Sequence, residues 1–423
     1  MPKADRAVIV GASLAGLRGA EALRRAGFDG ALTLVGAERH APYDRPPLSK
    51  QVLTGELRPD SSALPQPAGL DAEWRLGTAA TRLDRSARTI HLADGSRLPY
   101  DRLLIATGAA ARPWPNPAEA RLTGLHTLRD RDDATRLRAA LVAETGRVVV
   151  IGGGFIGCEV AHAARALGLA VTLVEPSETP LKRVLGAHLG AVVAARLKAV
   201  GVDLRTGTRV ERLEGDGEGR VARVHLSDGT SLETGTVVAA LGALRNTAWL
   251  ADSGLAFDEK GLDCDAEARA LDEAGRPDPA IFVAGDVARF PHPLYGRRVA
   301  LEHWEHAVAQ GAYAGARMAG AEAAGAYDTV PVFWSAQGDL NIKSIGLTDG
   351  ADALVIAQGD PKTGRFLALY GRQGICIAAV SFDMARWLPV YTEAIGRKAP
   401  FPPIRGAVEQ GDLALLDPGF DRG

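Results

Sequence analysis

The chain has 423 residues, enough for about two or three domains with full cores. Lys and Arg number 49 against 51 Asp and Glu, a net charge of −2 that argues against nucleic acid as the main partner. No apolar run approaches the ~18 residues of a membrane span. Met1-Pro2-Lys3-Ala4-Asp5-Arg6 leads straight into a strand, with no room for a signal peptide, so the expected location is cytoplasmic.

In chain order, the predicted elements give one pattern twice. The first copy has the strand Ala7–Val10, the turn Gly11-Ala12-Ser13-Leu14-Ala15-Gly16, a helix running into Ala26 and the strand Ala31–Val35. Asp94-Gly95 then predicts a hairpin, and the apolar strand Leu103–Ala106 closes on Gly108. The second copy has Val148–Ile151, the turn Gly152-Gly153-Gly154-Phe155-Ile156-Gly157, a helix to Leu167 and the strand Ala170–Val174. Asp228-Gly229 and Val237–Leu241 follow, closing on Gly242. Gly152 lies 141 residues after Gly11, while Gly229 and Gly242 each lie 134 after Gly95 and Gly108. Paired Gly-rich strand-turn-helix units point to an α/β protein that holds two dinucleotides, one of which reduces the other.

A strand that enters a Gly-rich turn and then a helix presents free N–H groups and a favourable helix dipole to a pyrophosphate. In the first turn Gly11 permits the bend and Gly16 the close helix–strand packing, while Ser13 replaces the middle glycine and Ala15 keeps the turn thin. The acid wanted for a ribose hydroxyl is displaced past Gly36 and Ala37 to Glu38. Taken alone, this turn also suits a structural turn in an unrelated α/β unit. The string Pro42-Tyr43-Asp44-Arg45-Pro46-Pro47-Leu48-Ser49-Lys50 is less ordinary. Its prolines fix φ, predict an extended Arg45 and can hold Lys50 in one place.

That string resembles the Y-D/E-R-P-P-L-S-K signature of the FAD-dependent, NADH-linked ferredoxin reductases of cytochrome P450 and aromatic-ring dioxygenase systems. The resemblance covers essentially the whole chain. It implies two Rossmann-like dinucleotide-binding domains of glutathione-reductase type plus a small α+β C-terminal domain. Its expected boundaries are 1–112 and 245–322 for FAD, 113–244 for NADH, and 323–423 for an interface domain. It further implies that Lys50 lies near the flavin ring and that Arg45 contacts the cofactor. Ala106-Thr107-Gly108 with Arg112 is similar to the family's A-T-G-x-x-x-R, and Leu128-Arg129 to a segment whose arginine touches FAD. Ile281-Phe282-Val283-Ala284-Gly285-Asp286 resembles the second FAD fingerprint, whose aspartate takes a ribityl hydroxyl. Ala80 completes the implied FAD set.

In the second turn Gly152, Gly154 and Gly157 satisfy G-x-G-x-x-G in full, with Ile156 inside the motif and Gly242 at the facing strand end. Glu175 ends the next strand 23 residues after Gly152. A carboxylate there accepts from a ribose 2′-OH and repels a 2′-phosphate, which favours NADH. Lys182 and Arg183 nearby leave room for a phosphate. Glu159 has two readings: a charge on the first helical turn, or, as the family implies, the partner of Lys50 at the junction of the two nucleotides. Trp304, in Glu302-His303-Trp304, similarly reads as core packing or as the family's tryptophan on the nicotinamide side of the flavin. Ala300 stands where the family carries arginine. His303 and His306 read as surface or capping residues.

From about Ala323 short strands are predicted at Val332–Ser335, Ala353–Ala357, Phe366–Arg372 and Ile375–Phe382, then a helix Trp387–Ile395. Phe333-Trp334-Ser335 resembles the family's F-W-S-D-Q, with Ala336 in place of Asp. The Pro- and Gly-rich tail after Lys398 reads only as a docked or mobile end. Cys158, Cys264 and Cys376 include no Cys-x-x-Cys and suggest no metal site. Three functions stay open. The first is an NADH-dependent reductase passing electrons through FAD to a small iron–sulfur ferredoxin, and so to a P450 or dioxygenase. The second is a disulfide reductase, NADH oxidase or quinone reductase on the same scaffold, although no cysteine falls near Lys50 for disulfide chemistry. The third is a flavoprotein that signals by its redox state. Monomer and weak dimer are both compatible with the sequence.

Overall fold

The structure, a computed structural model, describes residues 5–321, 325–402 and 406–421. The opening Met1–Ala4 and the expected boundary at 322/323 lie outside the described residues. The chain forms two compact units. Met1–Asp44, Ala63–Ala110 and Ala243–Pro331 make the first; Arg45–Ser62, Ala111–Gly242 and Val332–Gly423 make the second.

In the first unit a six-stranded sheet runs in the order 269–271, 277–283, 102–105, 6–10, 31–36, 73–76. Arg6–Val10 lies centrally, parallel to both Ala31–Gly36 and Arg102–Ile105. Ala7–Val10 are no more than 3% exposed, which explains an uninterrupted apolar run instead of alternation. The helix Leu14–Arg25 packs on Trp304–Met318 through glycines. A Cβ at Gly311 would lie 2.4 Å from the Ala15 carbonyl oxygen, and one at Gly315 would lie 2.1 Å from that of Gly19. Asp94-Gly95 turns an antiparallel sheet of Ala80–Asp84, Thr89–Leu92 and Arg97–Pro99.

The second unit repeats the plan with a parallel sheet in the order 203–206, 170–175, 147–151, 236–239, 125–126. Its helix Phe155–Ala166 follows the central strand, and Asp228-Gly229 turns the corresponding three-stranded sheet. A separate antiparallel sheet has the order 332–337, 340–346, 375–382, 365–372, 353–360, with the helix Leu388–Gly396. Sequence reading missed the strand Leu340–Gly346. It opens with alternating buried and exposed residues directly after a two-residue turn at Gly338-Asp339, so its apolar signal is diluted. The described tail is docked, bridging Leu416 to Leu354 and Gln410 to Gln358.

Arg45 corrects one expectation. Its backbone is helical, φ −84° and ψ −32°, because it caps the short 3-10 helix Pro46–Ser49 and its carbonyl accepts from Leu48 N at 2.9 Å. The steric bias before proline is overcome by this turn and by the Arg45 guanidinium, which donates to the Arg129 carbonyl at 3.0 Å.

Candidate functional site

The two glycine turns share one internal logic. A Cβ at Gly11 would fall 2.0 Å from the Ala106 carbonyl oxygen, and one at Gly16 would fall 1.9 Å from that of Gly11. The corresponding distances are 2.4 Å from Gly152 to Ala240 O and 1.9 Å from Gly157 to Gly152 O. Outer glycines are therefore demanded by the protein's own packing. A Cβ on Gly154 would meet nothing within 4 Å, so the folded chain itself tolerates Ser13 at the equivalent place. Neither N-cap, Ser13 or Gly154, supplies a side-chain cap to its helix. The first-turn N–H groups, which have no intrahelical acceptor, fit an anionic pyrophosphate at both sites.

Around the first turn, Asn246 locks the crossing at Thr107-Gly108. Its Nδ2 donates to the Thr107 carbonyl at 2.8 Å, Thr107 Oγ1 donates to the Asn246 carbonyl at 2.9 Å, and Asn246 N donates to the Gly108 carbonyl at 3.0 Å. Glu38 accepts from the buried Tyr43 hydroxyl, beside exposed Ala37. Ala80 opens its strand and is half-buried. Trp304 Nε1 donates to Asp44 Oδ1 at 2.6 Å while the ring packs against the core, so core packing and a fixed indole coexist. Asp286 sits in the 3-10 turn Gly285–Val287, whose first N–H donates to Gln310 Oε1 at 2.9 Å.

His306 is not at the surface. It is 4% exposed, stacks on Phe290 with ring centres 5.3 Å apart, and has Nδ1 3.0 Å from the Tyr327 hydroxyl. Burial pushes its pKa down to about 3 against the opposing charge of Asp286. His303 holds the N-cap position of its helix, and burial lowers it to about 4.

In the second unit the Glu159 carboxylate organises the site. It is 6% exposed and lies on the second helical turn rather than the first, because the helix already begins at Phe155. Its Oε2 is 2.7 Å from Lys50 Nζ and accepts from Ser49 Oγ at 2.5 Å; its Oε1 accepts from Ser335 Oγ at 2.6 Å. Lys50 Nζ also donates to the Pro46 carbonyl at 3.1 Å. Ser49 and Ser335 gave no separate sequence signal, since a serine announces a carboxylate partner only once the fold is known. Arg129 holds Arg45 through its carbonyl, and its own N–H donates to Asp133 Oδ2 at 2.9 Å.

Glu175 ends its strand with Oε2 accepting from Gly153 N at 2.6 Å and Oε1 accepting from Ser177 N at 2.8 Å. The carboxylate is thus aimed at the glycine turn. Ile156 is partly exposed at the helix start, and Gly242, at φ +87°, accepts from Arg112 N at 2.9 Å. The three cysteines are free and buried, and burial raises the Cys158 thiol far above its ordinary range. Among the described residues no cluster of three or more His, Cys, Asp or Glu could hold a metal ion. No described helix is long and apolar enough to cross a membrane.

This architecture matches known proteins over nearly its full length. The family profile described as pyridine nucleotide-disulphide oxidoreductase covers residues 5–311, and the one described as reductase C-terminal covers 332–416. The chain belongs to the FAD-dependent NADH:ferredoxin reductase family. It is 38% identical to the anthranilate 1,2-dioxygenase system ferredoxin–NAD(+) reductase component of Burkholderia cepacia, over 90% of this chain and 92% of that one. It is 35% identical to putidaredoxin reductase of Pseudomonas putida, over 83% and 82%. Among solved structures, that of the covalent putidaredoxin reductase–putidaredoxin complex matches with a TM-score of 0.87 and 32% identity, over 94% of both chains.

Proposed function

We propose that this chain takes electrons from NADH and delivers them to a small iron–sulfur ferredoxin that feeds a cytochrome P450 or ring-hydroxylating oxygenase, in the cytoplasm. Bound FAD supplies the change from a two-electron donor to a one-electron acceptor. Segments 1–112 and 245–322 would hold FAD, 113–244 NADH, and 323–423 the interface. The Gly11 turn, Ala15, Arg45, Arg129, Thr107-Gly108 and Asp286 would hold FAD, with Ala37, Glu38 and Ala80 at its margin. The Gly152 turn, Ile156, Glu175 and Gly242 would hold NADH. Trp304, fixed by Asp44, would line the nicotinamide side.

The Lys50–Glu159 pair carries the reading. A lysine with its ammonium anchored by a buried carboxylate and a backbone carbonyl offers one fixed positive charge where hydride arrives. A disulfide reductase would need a thiolate there, and the nearest-numbered cysteine, Cys158, is a buried thiol donating to the Gly153 carbonyl.

The test is NADH-driven cytochrome c reduction reconstituted with acidic ferredoxins at rising ionic strength. Turnover that requires ferredoxin and weakens as salt screens docking is expected. Failure with every ferredoxin of the host, alongside rapid direct quinone reduction, would overturn the assignment.

A further inference from the structure

The two oxygens of Glu159 are held from different parts of the chain. Oε2 is served by Lys50 and Ser49, from the rigid Pro-rich segment. Oε1 is served by Ser335, from the edge strand Val332–Gln337 of the antiparallel sheet. Strand and helix meet in register. Phe155, Glu159 and His162 recur on one helical face. The Phe333 ring lies 4.8 Å from that of Phe155, Ser335 bonds Glu159, and a Cβ at Gly338 would lie 3.1 Å from His162. Ser335 is 1% exposed, and its oxygen accepts from Gln337 Nε2 at 3.2 Å, which turns the hydroxyl hydrogen toward Glu159.

We propose that Ser335 is a positioning residue for hydride transfer, fixing the Glu159 carboxylate so that Lys50 is held at one point. The inference rests on the roles given above to Lys50 and Glu159. The C-terminal domain is then part of the hydride-receiving end as well as an interface. The physical reason is the cost of a missing bond to a buried anion, which exceeds that of a neutral group. Without the Ser335 hydroxyl, the carboxylate turns to recover a donor and draws the ammonium with it.

The test compares Ser335→Ala and Ser335→Thr in the FAD-loaded protein. Anaerobic stopped flow reads flavin reduction by NADH, and reductive methylation followed by mass spectrometry reads the accessibility of the Lys50 amine. Ser335→Ala is expected to slow reduction about tenfold and to speed methylation at Lys50, while Ser335→Thr recovers both. Transfer from dithionite-reduced protein to ferredoxin is expected to stay unchanged. In a Glu159→Gln background the added effect of Ser335→Ala should nearly vanish. Slow reduction with unaltered Lys50 labelling, or a full effect persisting in Glu159→Gln, would overturn the proposal. Glu159→Gln that reduces at the wild-type rate would remove its premise. A wild-type protein not reduced by NADH would instead strike the proposed function itself.

Discussion

Lys182 Nζ lies 2.6 Å from Asp421 Oδ1 and 3.2 Å from Glu178 Oε1, so this cation, seven residues after Glu175, is paired with two carboxylates. The tail that brings Asp421 there is itself seated, with the Pro418 and Gly419 carbonyls accepting from His188 N and Ala187 N. In the function proposed above, this pairing competes with a 2′-phosphate for Lys182, and Glu175 would set the choice of coenzyme.

NADH is expected to exceed NADPH by at least about tenfold in kcat/KM, a factor worth ~1.4 kcal/mol. Glu175→Ala should narrow the gap mainly by improving NADPH, and adding Asp421→Asn should improve NADPH further by releasing Lys182. Steady-state kinetics with both coenzymes decide it. Equal use by wild type, or no NADPH gain in Glu175→Ala, would contradict the role given to this carboxylate.

Replacing Lys50 by Met leaves Glu159 with two hydroxyls and no counter-charge, at an expected stability cost of about 3 kcal/mol. Glu159→Gln should cost less, because the amide keeps hydrogen-bonding capacity for its neighbours. Both changes should slow flavin reduction, and the double change should slow it by less than the product of the two factors. Multiplicative effects would show that the pair does not act as a unit.

Acid stability should depend on His306. Folded-state burial holds it neutral to about pH 3, whereas the unfolded chain protonates near 6.5. The unfolded state therefore binds the extra proton below that pH. Stability is full above ~6.5 and falls as pH drops toward ~3, by up to ~1.4 kcal/mol per pH unit for each such histidine. His303 adds to the same loss down to about pH 4. Urea unfolding of His306→Gln between pH 7 and 4.5 should show a shallower decline than wild type, and parallel declines would refute the assignment.

Asn246→Ala should weaken the Thr107–Gly108 crossing, since it removes the side-chain donor to the Thr107 carbonyl while leaving the backbone bonds. An expected loss of about 1 kcal/mol accompanies this partly buried carbonyl's lost donor. Faster release of FAD on dilution, read by flavin fluorescence, is the sharper measure. Retention as in wild type would confine Asn246 to ordinary loop packing.

What was legible in the chain was local. Both glycine turns, their strands and the Glu175 position follow from spacing, because a buried parallel strand and a turn pressed against a carbonyl leave few residue choices. Arg45 was misjudged because the dipeptide rule before proline was outweighed by a capped turn. His306 was misjudged because nothing in Glu305-His306-Ala307 reveals that Phe290 and Tyr327 enclose it. Ser335 and Asn246 were invisible in their roles for a different reason. Each bonds a residue more than a hundred positions away, at 176 for Ser335 and 139 for Asn246, and a short polar side chain advertises no such partner.

The segmental make-up of the two units also governs how the chain can be born. The sheet of the first unit places Pro277–Val283 directly beside Arg102–Ile105, so that strand's edge stays open until residue 283 has been made. At about 5–20 residues per second, the wait between the two strands is roughly 9–36 s. Throughout it an apolar Leu103-Leu104-Ile105 edge is presented by a ribosome-bound chain, a template for mispairing with any neighbouring strand. Residues 45–62 meanwhile await partners from beyond residue 111. Each unit is assembled from three separate segments, so neither can be released as an independent fragment by a single cut.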